Sequence, residues 1–112
     1  MNNIKIFRAN RGEGKTKWLV EKVEEACSQG LTPIYVGSSK DFDKIRDIWF
    51  AANNTICPLK YIDQCSHISF HESCFFTDEL LESAFYVSFW YREILGRGCA
   101  WYITMNKEDF VN

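Results

Sequence analysis

The chain has 112 residues, of which 46% are hydrophobic and 16% aromatic, enough for one domain (1–112) with a buried core and too apolar for an intrinsically disordered chain. A formal net charge of −2 without any basic run gives no global reason for nucleic-acid binding, so any such contact would be local or shared between subunits. No stretch reaches the ~18 to 20 uninterrupted apolar residues of a bilayer span, and Met1-Asn2-Asn3 before a strand lacks the form of a signal peptide, so a soluble cytoplasmic protein is expected.

Ile4 to Phe7 reads as a short strand and Lys17 to Gln29 as a helix, with Trp18, Leu19, Val23, Ala26 and Cys27 as its apolar positions and Gly30 as its stop. Between them, Ala9-Asn10-Arg11-Gly12-Glu13-Gly14-Lys15-Thr16 fits the phosphate-binding P-loop except at its first position, where alanine replaces glycine. Several consecutive backbone N–H groups must turn inward around one anion, and Gly12 and Gly14 supply the freedom for that curvature. Asn10, Arg11, Gly12, Glu13, Gly14, Lys15 and Thr16 are therefore the candidate nucleotide contacts. Lys15 would reach the β- and γ-phosphates, and the Thr16 hydroxyl would bind Mg²⁺. Arg11 either steers phosphate or is a solvated loop charge. The plain alternative, a strand-to-helix turn that binds nothing, fits the strand-loop-helix context less well.

Thr32 to Val36 reads as a second strand closed by Gly37 and Ser38. Ser39 is the expected N-cap of an amphipathic helix from Lys40 to Ala52, which carries Phe42, Ile45, Ile48, Trp49 and Ala52. Thr55 to Glu72 follows neither period, and Pro58 disfavours a central strand, so a long connection with at most one short strand is expected. Cys57, Cys65, His67 and His71 in this segment could supply four zinc ligands, although their spacing matches no common zinc module. The five cysteines, odd in number and without a Cys-x-x-Cys pair, read as reduced core thiols.

Ser73 to Thr77 is an apolar strand running into Asp78-Glu79, followed by a helix from Leu80 to Leu95 that Gly96-Arg97-Gly98 ends. Cys99 to Thr104 reads as a fourth strand, and Asn106 to Asp109 as the cap and first turn of a further helix. Strands alternating with helices predict an α/β three-layer domain with a mainly parallel sheet of about four strands. Asp78 at a strand end suits Mg²⁺ binding, and Glu79 beside it suits orientation of an attacking water; alternatively the pair caps the next helix. That helix, with Phe85, Phe89 and Trp90 among many apolar residues, has more than one face against the sheet needs, so it is either buried on nearly all sides or, the favoured reading in so short a chain, presents a partner or self-association surface.

On the loop Ala9 to Thr16 and the pair Asp78-Glu79, the chain resembles the additional-strand, catalytic-glutamate branch of the P-loop NTPases, including small bacteriophage-encoded ATPases. The resemblance implies a minimal or truncated member that binds ATP and Mg²⁺ and hydrolyses ATP. Lys15 and Glu79 would be catalytic, Thr16 and Asp78 would hold the metal, and Thr104, with Asn106 as the alternative, would be a polar sensor. It implies the strand order first, fourth, third, second, which leaves Ile4 to Arg8 at an edge, softened only by Lys5 and able to pair with another chain or with the terminal residues. It also implies a need for an arginine finger, for which Arg92 and Arg97 are the candidates. A nucleotide-fold protein that engages or inhibits a host or viral partner with little catalysis is the competing function. A small-molecule kinase fits less well, because eight residues after Thr104 leave little to build an acceptor lid.

Overall fold

In the computed structural model, which describes residues 3–107, five strands form one all-parallel sheet in the order β1-β5-β4-β2-β3. They are β1 (Ile4–Ala9), β2 (Thr32–Tyr35), β3 (Lys60–Tyr61), β4 (Ser73–Thr77) and β5 (Ala100–Asn106). Every residue of β4 is buried, as a central parallel strand covered on both faces requires. The order of β1, β5, β4 and β2 is the one the resemblance implies, with β1 at an edge and paired from Ile4↔Trp101 to Ala9↔Asn106. The sheet has five strands rather than about four. The extra one, β3, joins the opposite edge through Tyr35↔Tyr61, and two residues are too few to show a period in the sequence.

Helices α1 (Lys15–Ser28) and α2 (Ser39–Asn53) cover one face, where Leu19, Val23, Ile45 and Trp49 meet Tyr35, Cys74 and Phe76. On the other face, Ile94 of α3 (Ala84–Gly96) joins Ile34, Phe75, Trp101 and Ile103, with Phe70 packed against them. The alternation of Cys74, Phe75 and Phe76 between the two cores is the period-two signature of the strand. Among the described residues, no helix is long and apolar enough to cross a membrane.

Several boundaries differ from the sequence expectations for identifiable reasons. The cap of α2 is Ser38, not Ser39. The Ser38 hydroxyl accepts from the Asp41 N–H (3.2 Å) and donates to Asp41 Oδ2 (3.0 Å), a side-chain N-cap that fixes the start one residue earlier. Helix α3 starts at Ala84 rather than Leu80. Glu79 takes a left-handed conformation (φ 57°), and the Leu80 N–H goes to Thr104 O (2.9 Å), so the chain forms turns through 80–83 before the helix begins. Strand β5 continues through Asn106, which is therefore not a helix cap; Glu108 and Asp109 of the predicted turn lie outside the described residues. Within α3 only Ile94 is fully buried, while Phe85 and Phe89 are 76% and 71% exposed.

All five cysteines are free thiols, and Cys57, Cys74 and Cys99 are buried, in keeping with reduced core residues. Among the described residues, no three His, Cys, Asp or Glu side chains gather as a metal site, so the candidate zinc quartet is not assembled. Cys57, Cys65 and His67 line a common cleft near β3, whereas His71 is exposed and lies 3.4 Å from Glu72.

Candidate functional site

Because the sheet is parallel, the ends of β1, β4 and β5 open on the same side, and there the loop from Asn10 to Gly14 leads into α1. Ala9 ends β1 as a buried strand residue, and Gly12 (φ 78°) and Gly14 (φ 84°) take the left-handed turns that curl the loop. Gly14 caps α1, its carbonyl accepting from the Trp18 N–H at 2.9 Å. Glu13 turns back on the loop: its Oε1 accepts from the Asn10 N–H (2.6 Å) and its N–H donates to Asn10 O (3.2 Å). These bonds brace the loop from within, leaving Asn10 and Glu13 off the cleft wall.

Lys15 is buried to 5% exposure, a rare condition for a lysine. Its Nζ folds back to donate to Asn10 O (3.2 Å) and lies 3.8 Å from Glu79 Oε1. One residue on, Thr16 Oγ1 donates to Asp78 Oδ2 at 3.0 Å, joining the first turn of α1 to the end of β4. Asp78 is fully buried. The Thr104 hydroxyl donates to its Oδ1, and Lys44 Nζ from α2 stands 3.5 Å from its Oδ2. The Asp78 N–H donates to the Tyr35 hydroxyl (3.2 Å), and its carbonyl accepts from Ser83 Oγ (3.0 Å). Just before it, Thr77 Oγ1 donates to Val36 O (2.7 Å) and accepts from Trp101 Nε1 (2.9 Å). The strand end is thus held from α1, α2, β2, β5 and the turn at Ser83.

Glu79 is held by its backbone, its N–H donating to Thr104 Oγ1 at 2.9 Å, while its Oε2 is buried without a hydrogen-bond partner. Burial first, and then the neighbouring Asp78, push its carboxyl above the ordinary value, against the pull of Lys15 and Lys44. A raised, under-bonded carboxylate with a left-handed backbone is a costly arrangement of the kind that clusters at functional sites. Burial likewise pushes the Tyr35 hydroxyl up, keeping it a neutral partner for Asp78.

The resulting cleft measures about 340 Å³ and is lined by Arg11, Gly12, Gly14, Lys15, Thr16, Lys17, Lys44 and Glu79. Thr104 is fully buried, and both Asp78 and Glu79 engage its hydroxyl, so it supports the cleft without lining it. Asn106 is also buried, with an Oδ1 that has no partner. Neither predicted arginine finger reaches the cleft wall. Arg97 pairs with Glu93 (3.1 Å) and lies over the Phe70 ring at 4.5 Å, and Arg92 is exposed on α3. Sequence reasoning missed Lys44. It sits on the exposed side of an ordinary amphipathic helix, and only the docking of α2 brings it to Asp78. A larger cleft of about 460 Å³ beside β3, lined by Arg46, Lys60, Tyr61 and His67 among others, contains no carboxylate in its wall.

No protein-family model matches the chain, and no curated protein or solved structure matches it with significance.

Proposed function

We propose that the chain binds a nucleoside triphosphate with Mg²⁺ and hydrolyses it, the segment from Ala9 to Thr16 acting as its P-loop. The observation that carries this reading is the contact between the Thr16 hydroxyl and Asp78, residues 62 positions apart, with Lys15 and Glu79 meeting beside it. Two hard oxygen donors next to each other, at the rim of a loop with two left-handed glycines, suit a small divalent cation shared with phosphate oxygens and water. Mg²⁺ bound there would withdraw charge from the phosphates as a Lewis acid.

The chain's own residues supply the rest. Lys15 exchanges Asn10 O for the β- and γ-phosphate oxygens, and the backbone N–H groups of the loop bind the same anion at the N-terminus of α1. Glu79 orients a water and takes its proton as the water oxygen bonds to the γ-phosphorus. The bond from phosphorus to the bridging oxygen breaks, the diphosphate leaves with the electron pair, and inorganic phosphate is the second product. The raised carboxyl of Glu79 suits it to accept a proton. Thr104 acts as a positioning residue, since its single hydroxyl fixes both the Asp78 carboxylate and the Glu79 backbone.

A phosphate-release assay tests this on the wild type, Lys15→Ala and Glu79→Gln. Both substitutions are expected to reduce turnover by at least about 100-fold, the scale seen when one group stabilising a transition state is lost. A wild-type chain that releases no phosphate at any protein concentration contradicts the reading.

The exposed Phe85 and Phe89 of α3 favour a second reading, in which the same domain chiefly docks on another protein. It predicts partner capture that Lys15→Ala leaves intact, and capture abolished by that substitution would count against it.

A further inference from the structure

We propose that Lys44 is a catalytic cation of this site, one that rests on Asp78 in the nucleotide-free protein and moves to the phosphates when metal and triphosphate enter. This rests on the triphosphate reading above. Four cations line the cleft: Arg11, Lys15 and Lys17 come from the loop and the first turn of α1, while Lys44 alone comes from α2. Lys15 is already engaged by Asn10 O and Glu79. Of these cations, Lys44 stands at the fully buried Asp78 carboxylate, 3.5 Å from Oδ2, the same oxygen that accepts from Thr16. Oδ1 is taken by Thr104, so Lys44 occupies the oxygen that Asp78 would present to a metal ion.

That placement gives Lys44 two successive tasks. Without a metal, the buried Asp78 needs a compensating charge, and the Lys44 ammonium supplies it. A divalent cation shared by Thr16 and Asp78 would repel the ammonium from Oδ2. Its side chain is 46% exposed on a flexible four-carbon stem, and the Ser38 cap on the Asp41 N–H fixes the helix one turn earlier, so the head can swing while the backbone stays. The densest negative charge then available in the cleft is the triphosphate. A cation delivered from α2, as the γ-phosphoryl group departs, does the work usually supplied by an arginine finger. Arg92 and Arg97 do not line the cleft.

The test compares the wild-type chain with Lys44→Met and Lys44→Arg in two measurements. The first is Mn²⁺ binding without nucleotide, followed by electron paramagnetic resonance. The second is steady-state ATP hydrolysis with kcat and KM separated. Lys44→Met is expected to bind Mn²⁺ at least about threefold more tightly, because the competing cation has gone, yet to lose at least about 30-fold in kcat. Lys44→Arg should restore weak Mn²⁺ binding and most of the turnover. Opposite signs in the two measurements distinguish this role from a merely structural one, which would weaken both together. Turnover by the wild type that Lys44→Met leaves within about twofold, or unchanged or weaker Mn²⁺ binding, overturns the proposal while leaving the hydrolase reading intact. No turnover by the wild type overturns both.

Discussion

Thr104→Val removes one hydroxyl and nearly conserves shape, which makes it a sharp probe of how the site is built. Thr104 is fully buried, and its Oγ1 donates to the Asp78 carboxylate while accepting the Glu79 N–H at 2.9 Å. Valine deletes a hydrogen bond to a charged group, worth about 1.5–3 kcal/mol, and leaves a buried N–H unpaired at about 1–3 kcal/mol. The added methyl group offsets part of this, so a net loss of about 3 kcal/mol is expected. With a urea slope of about 2 kcal/mol/M, the unfolding midpoint falls by about 1.5 M. Thr104→Ser keeps the hydroxyl and loses only a methyl group, at about 1 kcal/mol, or roughly 0.5 M. Equal midpoints for the two variants would refute the claim that this hydroxyl ties Asp78 to Glu79.

Glu79→Gly relieves a left-handed backbone at φ 57° and removes a buried, under-bonded carboxylate, so the urea midpoint should rise by the equivalent of about 1 kcal/mol; a fall would contradict the strain assigned to Glu79. Gly37→Ala would bring a Cβ to 2.8 Å from both Ser83 Oγ and the Tyr35 ring, the two side chains that hold the Asp78 backbone. A loss of about 1–3 kcal/mol in urea unfolding is expected, and a wild-type midpoint would rule out that close approach. Burial pushes the Cys74 thiol up to about 12, so at pH 8 only about one molecule in 10⁴ carries the thiolate. The half-buried Cys27 and Cys65 should therefore react with iodoacetamide before Cys74, as read by mass spectrometry; early labelling of Cys74 would contradict its place in the core.

Much of the fold was legible because the signals were local. The spacing of Gly12, Gly14, Lys15 and Thr16 described a strand, a tight turn and a helix start, and the structure has β1, the curled loop and α1 there. The apolar run Ser73 to Thr77 described a buried strand with the same bounds as β4. What escaped depended on contacts distant in sequence. Leu80 to Ser83 has helical composition, but the bond from Leu80 N–H to Thr104 O and the backbone of Glu79 keep that segment out of the helix. The one short strand allowed within Thr55 to Glu72 is β3, but its two residues carry no period to mark their place, and their pairing with β2 exists only once the sheet forms. Lys44 has no local mark at all. Its place beside Asp78 follows from the docking of α2, and it reaches the cleft that Arg92 and Arg97 do not. Thr104, expected to end its strand, lies two residues before the end of β5, and its burial gives it a bracing position behind Asp78 and Glu79.

The most direct measurement is isothermal titration of the chain with Mg·ATP, comparing the wild type with Lys15→Ala and Glu79→Gln. Saturable one-to-one binding is expected for the wild type and Glu79→Gln, with at least a tenfold loss, about 1.4 kcal/mol, for Lys15→Ala. No binding by the wild type, or equal binding by Lys15→Ala, would contradict a nucleotide site at the loop from Asn10 to Thr16.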